Sequence, residues 1–298
     1  MGIKATTLDE QIAILRGRNM VINDEFKAKE ILFDIGYYRL GVYWFPFELS
    51  YPQKHNRNHN FKDQTLFEDA VKLYYFDFNL RNLLIKALSR IEIAFRTKVS
   101  YIVSNHYKDS PTWFVDTNVV SRQQASSFYK KVYKQIQKDS KVIALHHSHH
   151  INDKYAPAWK TLEFMTLGEV FHLYKSLKDE KVKEKVSNAF GIKKVVTFEN
   201  YLNLIKDLRN SCAHGNILYD YTPDKSIRKG PAMFKGIGNN QNLNGGIRVI
   251  LYMMKQISQN RFNELISDID NLIKQNSTNT KVNDIIMNIS GLKDLHKK

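Results

Sequence analysis

The stretch FEDAVKLYYFDFNLRNLLIKALSRIEIAFRTKVSYIV, Phe67 to Val103, decides the fold class. Apolar residues recur through it at helical spacing, at Val71, Tyr74, Leu80, Leu84, Leu88, Ile91, Phe95, Val99 and Ile102. Neither Gly nor Pro interrupts the pattern over roughly nine turns, which predicts a long central helix. Arg81, Arg90, Glu92 and Arg96 punctuate it. Glu92 and Arg96 lie four apart on one face, by default a surface ion pair.

Helical signals continue on both sides. Thr7 and Glu10 form a capping box before Leu8, Ile12 and Leu15. Asn23 reads as the cap of a second helix with Phe26, Ile31 and Ile35 on one face, ended by Gly36. Further helices are predicted from Arg122 to about Leu145, Trp159 to Tyr174, Lys181 to Phe190, Thr197 to about His214, and Ile247 to Ile273. Pro223, Pro231 and clustered glycines make Asp220 to Gly246 a long loop, placed to gate a cleft or bind a partner. The expectation is an all-α single domain over 1–298: N-terminal helices and an aromatic segment in 1–60, a helical body in 61–275 and a polar tail in 276–298.

Composition fits a soluble globular chain, with 43% hydrophobic and 25% charged residues among 298. That excludes a disordered tail protein, a collagen-like fibre and a membrane-embedded bundle. The net charge of +15 is spread over both halves, so the expected partner is a polyanion, nucleic acid first and an anionic membrane surface second. One cysteine, Cys212, leaves no intrachain disulfide and no cysteine zinc site, which suits a reducing, cytoplasmic setting. No signal peptide or membrane-spanning run is read, and no basic helix has an apolar face to spare from the core, so no membrane partner is expected.

Three local features invite function beside a plainer reading. Tyr37, Tyr38, Tyr43, Trp44, Phe45 and Phe47, interleaved with Arg39, suit stacking on RNA bases, although packing of the first helices onto the body is the simpler account. Lys130, Lys131, Lys134, Lys138 and Lys141 form a basic face that suits either a phosphate track or solvent. His146, His147, His149 and His150 read as a polar loop, since no carboxylate or cysteine stands beside them at ligand spacing; no metal and no cofactor is expected.

The segment Phe198 to Gly215, FENYLNLIKDLRNSCAHG, carries the chemistry. Phe198, Leu202 and Ile205 define an apolar stripe, and Arg209 falls on it at 100° per residue. A guanidinium there breaks the pattern unless it is paired or lines a cleft. Arg209 and His214 are about 140° apart on a straight helix, and Gly215 is a fitting C-terminal cap. Arg, Asn and His suit phosphodiester cleavage without a metal: Arg209 holds the phosphate, Asn210 orients the site and His214 moves a proton at the 2'- or 5'-oxygen. A structural Arg beside a surface His is the alternative.

Blocks LDEQIAILRGRNMVI (Leu8 to Ile22), IGYYRLGVYWFPF (Ile35 to Phe47), Phe67 to Tyr101, PAWKTLEFMTLGEV (Pro157 to Val170) and LRNSCAHG (Leu208 to Gly215) resemble the Abi-like (abortive infection, AbiD/AbiF-type) family of bacterial phage-resistance proteins. Through Arg209-Asn210-Ser211-Cys212-Ala213-His214 the chain also resembles the HEPN ribonuclease superfamily. The resemblance implies a HEPN-like helical bundle with additional N- and C-terminal helices, working as a homodimer whose two Arg/His sets face each other. It implies metal-independent RNA cleavage by Arg209, Asn210 and His214, with Arg90, Glu92 and Arg96 supporting or flanking the cleft. It further implies growth arrest on infection and control by a small structured RNA or an antitoxin. The alternative is an RNA-binding, non-catalytic scaffold that sequesters or senses RNA.

Overall fold

A helix of 40 residues, spanning about 60 Å at 1.5 Å per residue, forms the axis of the computed structural model, which describes residues 4–233 and 241–296. Before it come α1 (Leu8–Gly17), α2 (Glu25–Ile35) and α3 (Tyr37–Tyr43); the axis itself is α4 (Phe67–His106). Then follow α5 (Arg122–Phe128), α6 (Lys134–Asp139), α7 (Lys141–His149), α8 (Ala158–Thr161), α9 (Leu167–Ser176), α10 (Glu180–Asn188) and α11 (Val195–Ala213). C-terminal to residue 240 lie α12 (Leu243–Ile257), α13 (Gln259–Gln275) and α14 (Thr280–Asp284). Among the described residues β pairing is limited to isolated bridges. The fold is all-α.

The periodicity of α4 maps onto burial. Val71, Leu80, Leu84, Leu88, Ile91, Phe95 and Val99 are buried, and Tyr74 and Ile102 pack partly buried against the same core. Burying each such side chain contributes about 1.5–3 kcal/mol before the entropy of ordering is subtracted. The helix is covered along its length by α3, α8, α9, α10, α11, α12, α13 and α14. It is therefore buried on more than one side, which explains why buried residues also include Asp69, Asp77 and Arg81.

Local signals set the N-terminal helices. Thr7 Oγ1 accepts from Glu10 N, and the Glu10 carboxylate accepts from Thr7 N at 2.7 Å. Asp24, one residue after the expected Asn23, caps α2 by accepting from Lys27 N. Tyr43, Trp44, Phe45 and Phe47 are buried, as the packing account of the aromatic segment requires. Tyr38 alone of this group faces solvent, 93% exposed.

Several expected elements differ. The predicted helix Arg122 to Leu145 is stepped by a π turn at Tyr129–Tyr133 and broken at Ser140, whose hydroxyl accepts from Ile143 N and starts α7. His146, His147 and His149 lie on α7 and not in a loop. The helix expected from Trp159 is interrupted before Thr166, which caps α9 with a capping box to Glu169. Ser258 divides Ile247 to Ile273 into α12 and α13.

The predicted loop and tail also change. Residues 234–240 of the expected loop lie outside the described residues, and its last residues, Leu243 to Gly246, already form the first turn of α12. Gly246 permits the close approach of α12 to α11, since a Cβ there would stand 2.9 Å from Leu208 Cδ1. The stretch expected as a polar tail folds back onto the body among the described residues. Asn279 donates to the buried Asp69 carboxylate at 2.7 Å, and Val282, Ile286 and Leu292 are buried. Residues 297–298 lie outside the description.

Candidate functional site

The inward stripe of α11 runs through Tyr201, Leu204, Ile205, Leu208 and Cys212, all buried. Arg209 therefore sits one position off that stripe, at its edge, with a side chain 38% exposed. Its Nε lies 3.5 Å from Glu92 Oε2 on α4. The other Glu92 oxygen accepts from Arg96 at 3.0 Å, and the same Arg96 nitrogen donates to the Met165 carbonyl at 2.9 Å. Glu163 adds a second carboxylate 3.8 Å from Arg96.

The pair expected on the surface is thus mostly enclosed, each side chain 13% exposed. Glu92 holds two guanidiniums, and only Arg209 reaches solvent substantially. Arg90 is not part of this chain of charges. Two residues before Glu92 is about 200° around α4, and Arg90 lines a groove with Arg261, Glu264 and Asp268 of α13.

The end of α11 is shaped by a Schellman motif. Asn216 N donates to Ser211 O at 2.8 Å, Gly215 N to Cys212 O at 3.4 Å, and Gly215 has φ +68°. α11 runs straight through Ala213, so Arg209 and His214 leave it in directions about 140° apart. Asn210 and His214 are exposed, and neither side chain has a hydrogen-bond or ionic partner among the described residues.

The chain after His214 is anchored by Asp77, which the sequence reading does not single out, and by Arg81 and Arg39, to which it gives no such role. Asp77 accepts from Leu218 N at 3.0 Å, Tyr219 N at 2.8 Å, Tyr43 Oη at 2.9 Å and Arg81 at 2.5 Å. Arg81 also donates to Asn216 O, and Arg39 to Gly215 O. The turn that carries His214 is therefore tied to α3 and α4 by three side chains more than 130 residues away in sequence. The signal that was available is a carboxylate and a guanidinium at Asp77 and Arg81, four apart on the apolar side of a long amphipathic run.

Cys212 is the inert member of the motif. Burial pushes its thiol up to about 12, with Arg81 opposing and Asp77 adding to the effect. It is a packing residue.

The basic face is stepped rather than continuous. Lys130 and Lys131 lie in the π turn, Lys134 and Lys138 on α6 and Lys141 at the start of α7, all exposed. His146 is buried, with Nε2 3.2 Å from Asp153. Among the described residues no group of three His, Cys, Asp or Glu side chains is placed to hold a metal ion, and no helix is long and apolar enough to cross a membrane.

A family model described as Abi-like protein matches residues 30–220, from within α2 through the turn after His214, so it contains Glu92, Arg96 and the whole Arg209 to His214 motif. No curated protein and no solved structure matches the chain.

Proposed function

The chain belongs to the Abi-like protein family, which points to abortive infection as a phage defence, and from that premise we propose that it is a metal-independent endoribonuclease toxin of HEPN type. One observation carries this reading. Arg209, Asn210 and His214 stand exposed or half-exposed at a rigidly capped helix end, with Arg209 held from behind by Glu92 and no structural task left for Asn210 or His214.

The chemistry follows from the residue types. The Arg209 guanidinium binds the scissile phosphate and the charge that grows on it. His214 removes the proton from the ribose 2'-oxygen or delivers one to the departing 5'-oxygen, and Asn210 orients the phosphate or sugar. Attack by the 2'-oxygen on phosphorus breaks the P–O5' bond and leaves a 2',3'-cyclic phosphate and a 5'-hydroxyl. The resemblance to HEPN ribonucleases adds to this reading a homodimer in which the motif of one copy faces that of the other. The toxin acts in the cytoplasm and is restrained by a small RNA or an antitoxin.

The test is incubation of purified protein with labelled RNA in EDTA. Wild type is expected to cleave, with the ends named above, and Arg209→Ala and His214→Ala to be inactive. Activity that survives both substitutions, or that requires a divalent ion, overturns the proposal.

The five exposed lysines favour a second reading, an RNA-binding scaffold without catalysis. Under it, His214→Ala retains RNA affinity and any growth phenotype, whereas charge reversal at Lys130, Lys131, Lys134, Lys138 and Lys141 weakens both and lowers the salt dependence.

A further inference from the structure

Beside the turn after His214 opens a cleft of about 570 Å³, within the size range of small-ligand sites. One wall is α3, with Tyr38 and Arg39; another is the helix end itself, with Ser211 and Gly215. Tyr38 is 93% exposed, while Tyr43, Trp44, Phe45 and Phe47 of the same aromatic segment are buried. The packing that explains the other rings does not explain this one. A phenol held in water with no hydrogen-bond partner among the described residues gains nothing for the fold.

Arg39, its neighbour, is exposed and donates to Gly215 O at 3.2 Å. Its guanidinium lies against the residue after His214, since a Cβ on Gly215 would stand 3.4 Å from Arg39 Nη1. No carboxylate pairs with it among the described residues, so most of its N–H donors are uncommitted. Of the two acids in the lining, Asp220 is neutralised by Lys54 at 2.6 Å. Asp224 is the second acid of the lining, and Arg39 supplies the positive charge at the Gly215 end.

We propose that this cleft is a subsite for a nucleotide of single-stranded RNA flanking the bond at the His214 turn, with the Tyr38 ring stacked on its base and Arg39 on its phosphate. An aromatic face beside a planar guanidinium is the pairing that single-stranded nucleic acid binds, and it is tolerant of base identity. The inference rests on the proposed RNA chemistry for its orientation, since the cleft adjoins the motif, but the binding it describes does not require cleavage.

The experiment measures binding of a fluorescent single-stranded oligoribonucleotide to the full chain carrying His214→Ala, so that cleavage cannot intrude. Adding Tyr38→Ala is expected to weaken binding roughly five- to a hundredfold, the range of one lost stacking contact, and Tyr38→Phe to restore it. Arg39→Ala is expected to weaken binding and to lower the salt slope by about one. Because Tyr38 is 93% exposed, its variant should melt with the parent, which keeps the test valid even if Arg39→Ala disturbs the Gly215 turn.

If wild type fails to cleave RNA yet Tyr38→Ala weakens binding, the subsite stands and the proposed reaction falls. If wild type cleaves and Tyr38→Ala changes neither binding nor KM, the reaction stands and the subsite falls. A Tyr38→Ala protein with unchanged RNA affinity but an altered oligomeric state overturns the subsite as well, and assigns the ring to contact between copies.

Discussion

Glu92 Oε2 stands 3.5 Å from Arg209 Nε, and this contact joins the axis of the fold to the proposed phosphate-binding residue. Glu92 also accepts from Arg96, so one largely enclosed carboxylate balances two guanidiniums. Arg209 is thereby held to α4 instead of sweeping through solvent, which is the kind of fixed placement that electrostatic stabilisation of a phosphorane needs.

Glu92→Gln tests that coupling. The amide keeps the shape but removes the charge, leaving two cations beside each other. The expected outcome is a stability loss of about 1–3 kcal/mol and a fall in RNA cleavage of at least about tenfold from loosened Arg209. Denaturant melts and single-turnover cleavage read the two effects separately. Wild-type rates in Glu92→Gln would show that Arg209 is positioned without α4.

Asp77 and His214 should behave oppositely. Asp77 is fully buried and accepts from Tyr43, Arg81 and two backbone amides, so Asp77→Ala leaves a guanidinium that is 5% exposed without its counter-charge and two N–H groups without an acceptor. The expected cost is about 3–5 kcal/mol. His214→Ala removes an exposed ring with no partner among the described residues and should stay within about 0.5 kcal/mol of wild type. Urea titrations of both variants check this, and a stable Asp77→Ala protein would mean that the turn after His214 is anchored elsewhere.

The contrast marks where sequence reading succeeds. The apolar spacing of α4, the Thr7 and Glu10 capping box and the cap at Gly215 are local patterns, and each recurs in the structure with its boundaries nearly intact. Asp77 to Leu218 and Arg39 to Gly215 join residues 141 and 176 positions apart, and nothing in either local window names the partner. Breaks inside amphipathic runs were missed for another reason. Ser140 and Ser258 cap new helices without interrupting the apolar rhythm, so periodicity alone reads straight through them. Steps of 100° from Ile205 place Arg209 near the stripe, whereas Leu208 and Cys212 hold the buried line and leave Arg209 at its rim.

Cys212 offers a chemical check on that rim. With its thiol pushed up to about 12 by burial, the thiolate at pH 8 amounts to about one part in ten thousand. Iodoacetamide should leave the native protein unlabelled over minutes and modify one thiol per chain once urea unfolds it. Rapid native labelling would place Cys212 in solvent and turn the α11 stripe away from the core.

The histidine-rich end of α7 predicts a weakening in mild acid. His146 is buried, and neither ring nitrogen has a hydrogen-bond partner among the described residues, although Asp153 stands 3.2 Å from Nε2. Burial lowers its pKa below 6.5, Lys160, His150 and His147 push the same way, and Asp153 pulls back. A histidine with a lowered folded pKa favours the fold while neutral. Its contribution is therefore complete above the unfolded value of 6.5 and is lost as pH falls below it toward the folded pKa. Wild type should hold its denaturant resistance down to about pH 6.5 and lose it progressively below that. His146→Phe removes the titration and two buried nitrogens without hydrogen bonds, at the cost of the Asp153 contact, so the gap between variant and wild-type midpoints should widen in favour of the variant as pH falls. A gap that stays constant with pH would place the acid sensitivity on other groups, and one that narrows would mean that Asp153 outweighs burial and makes the charged ring the stabilising form.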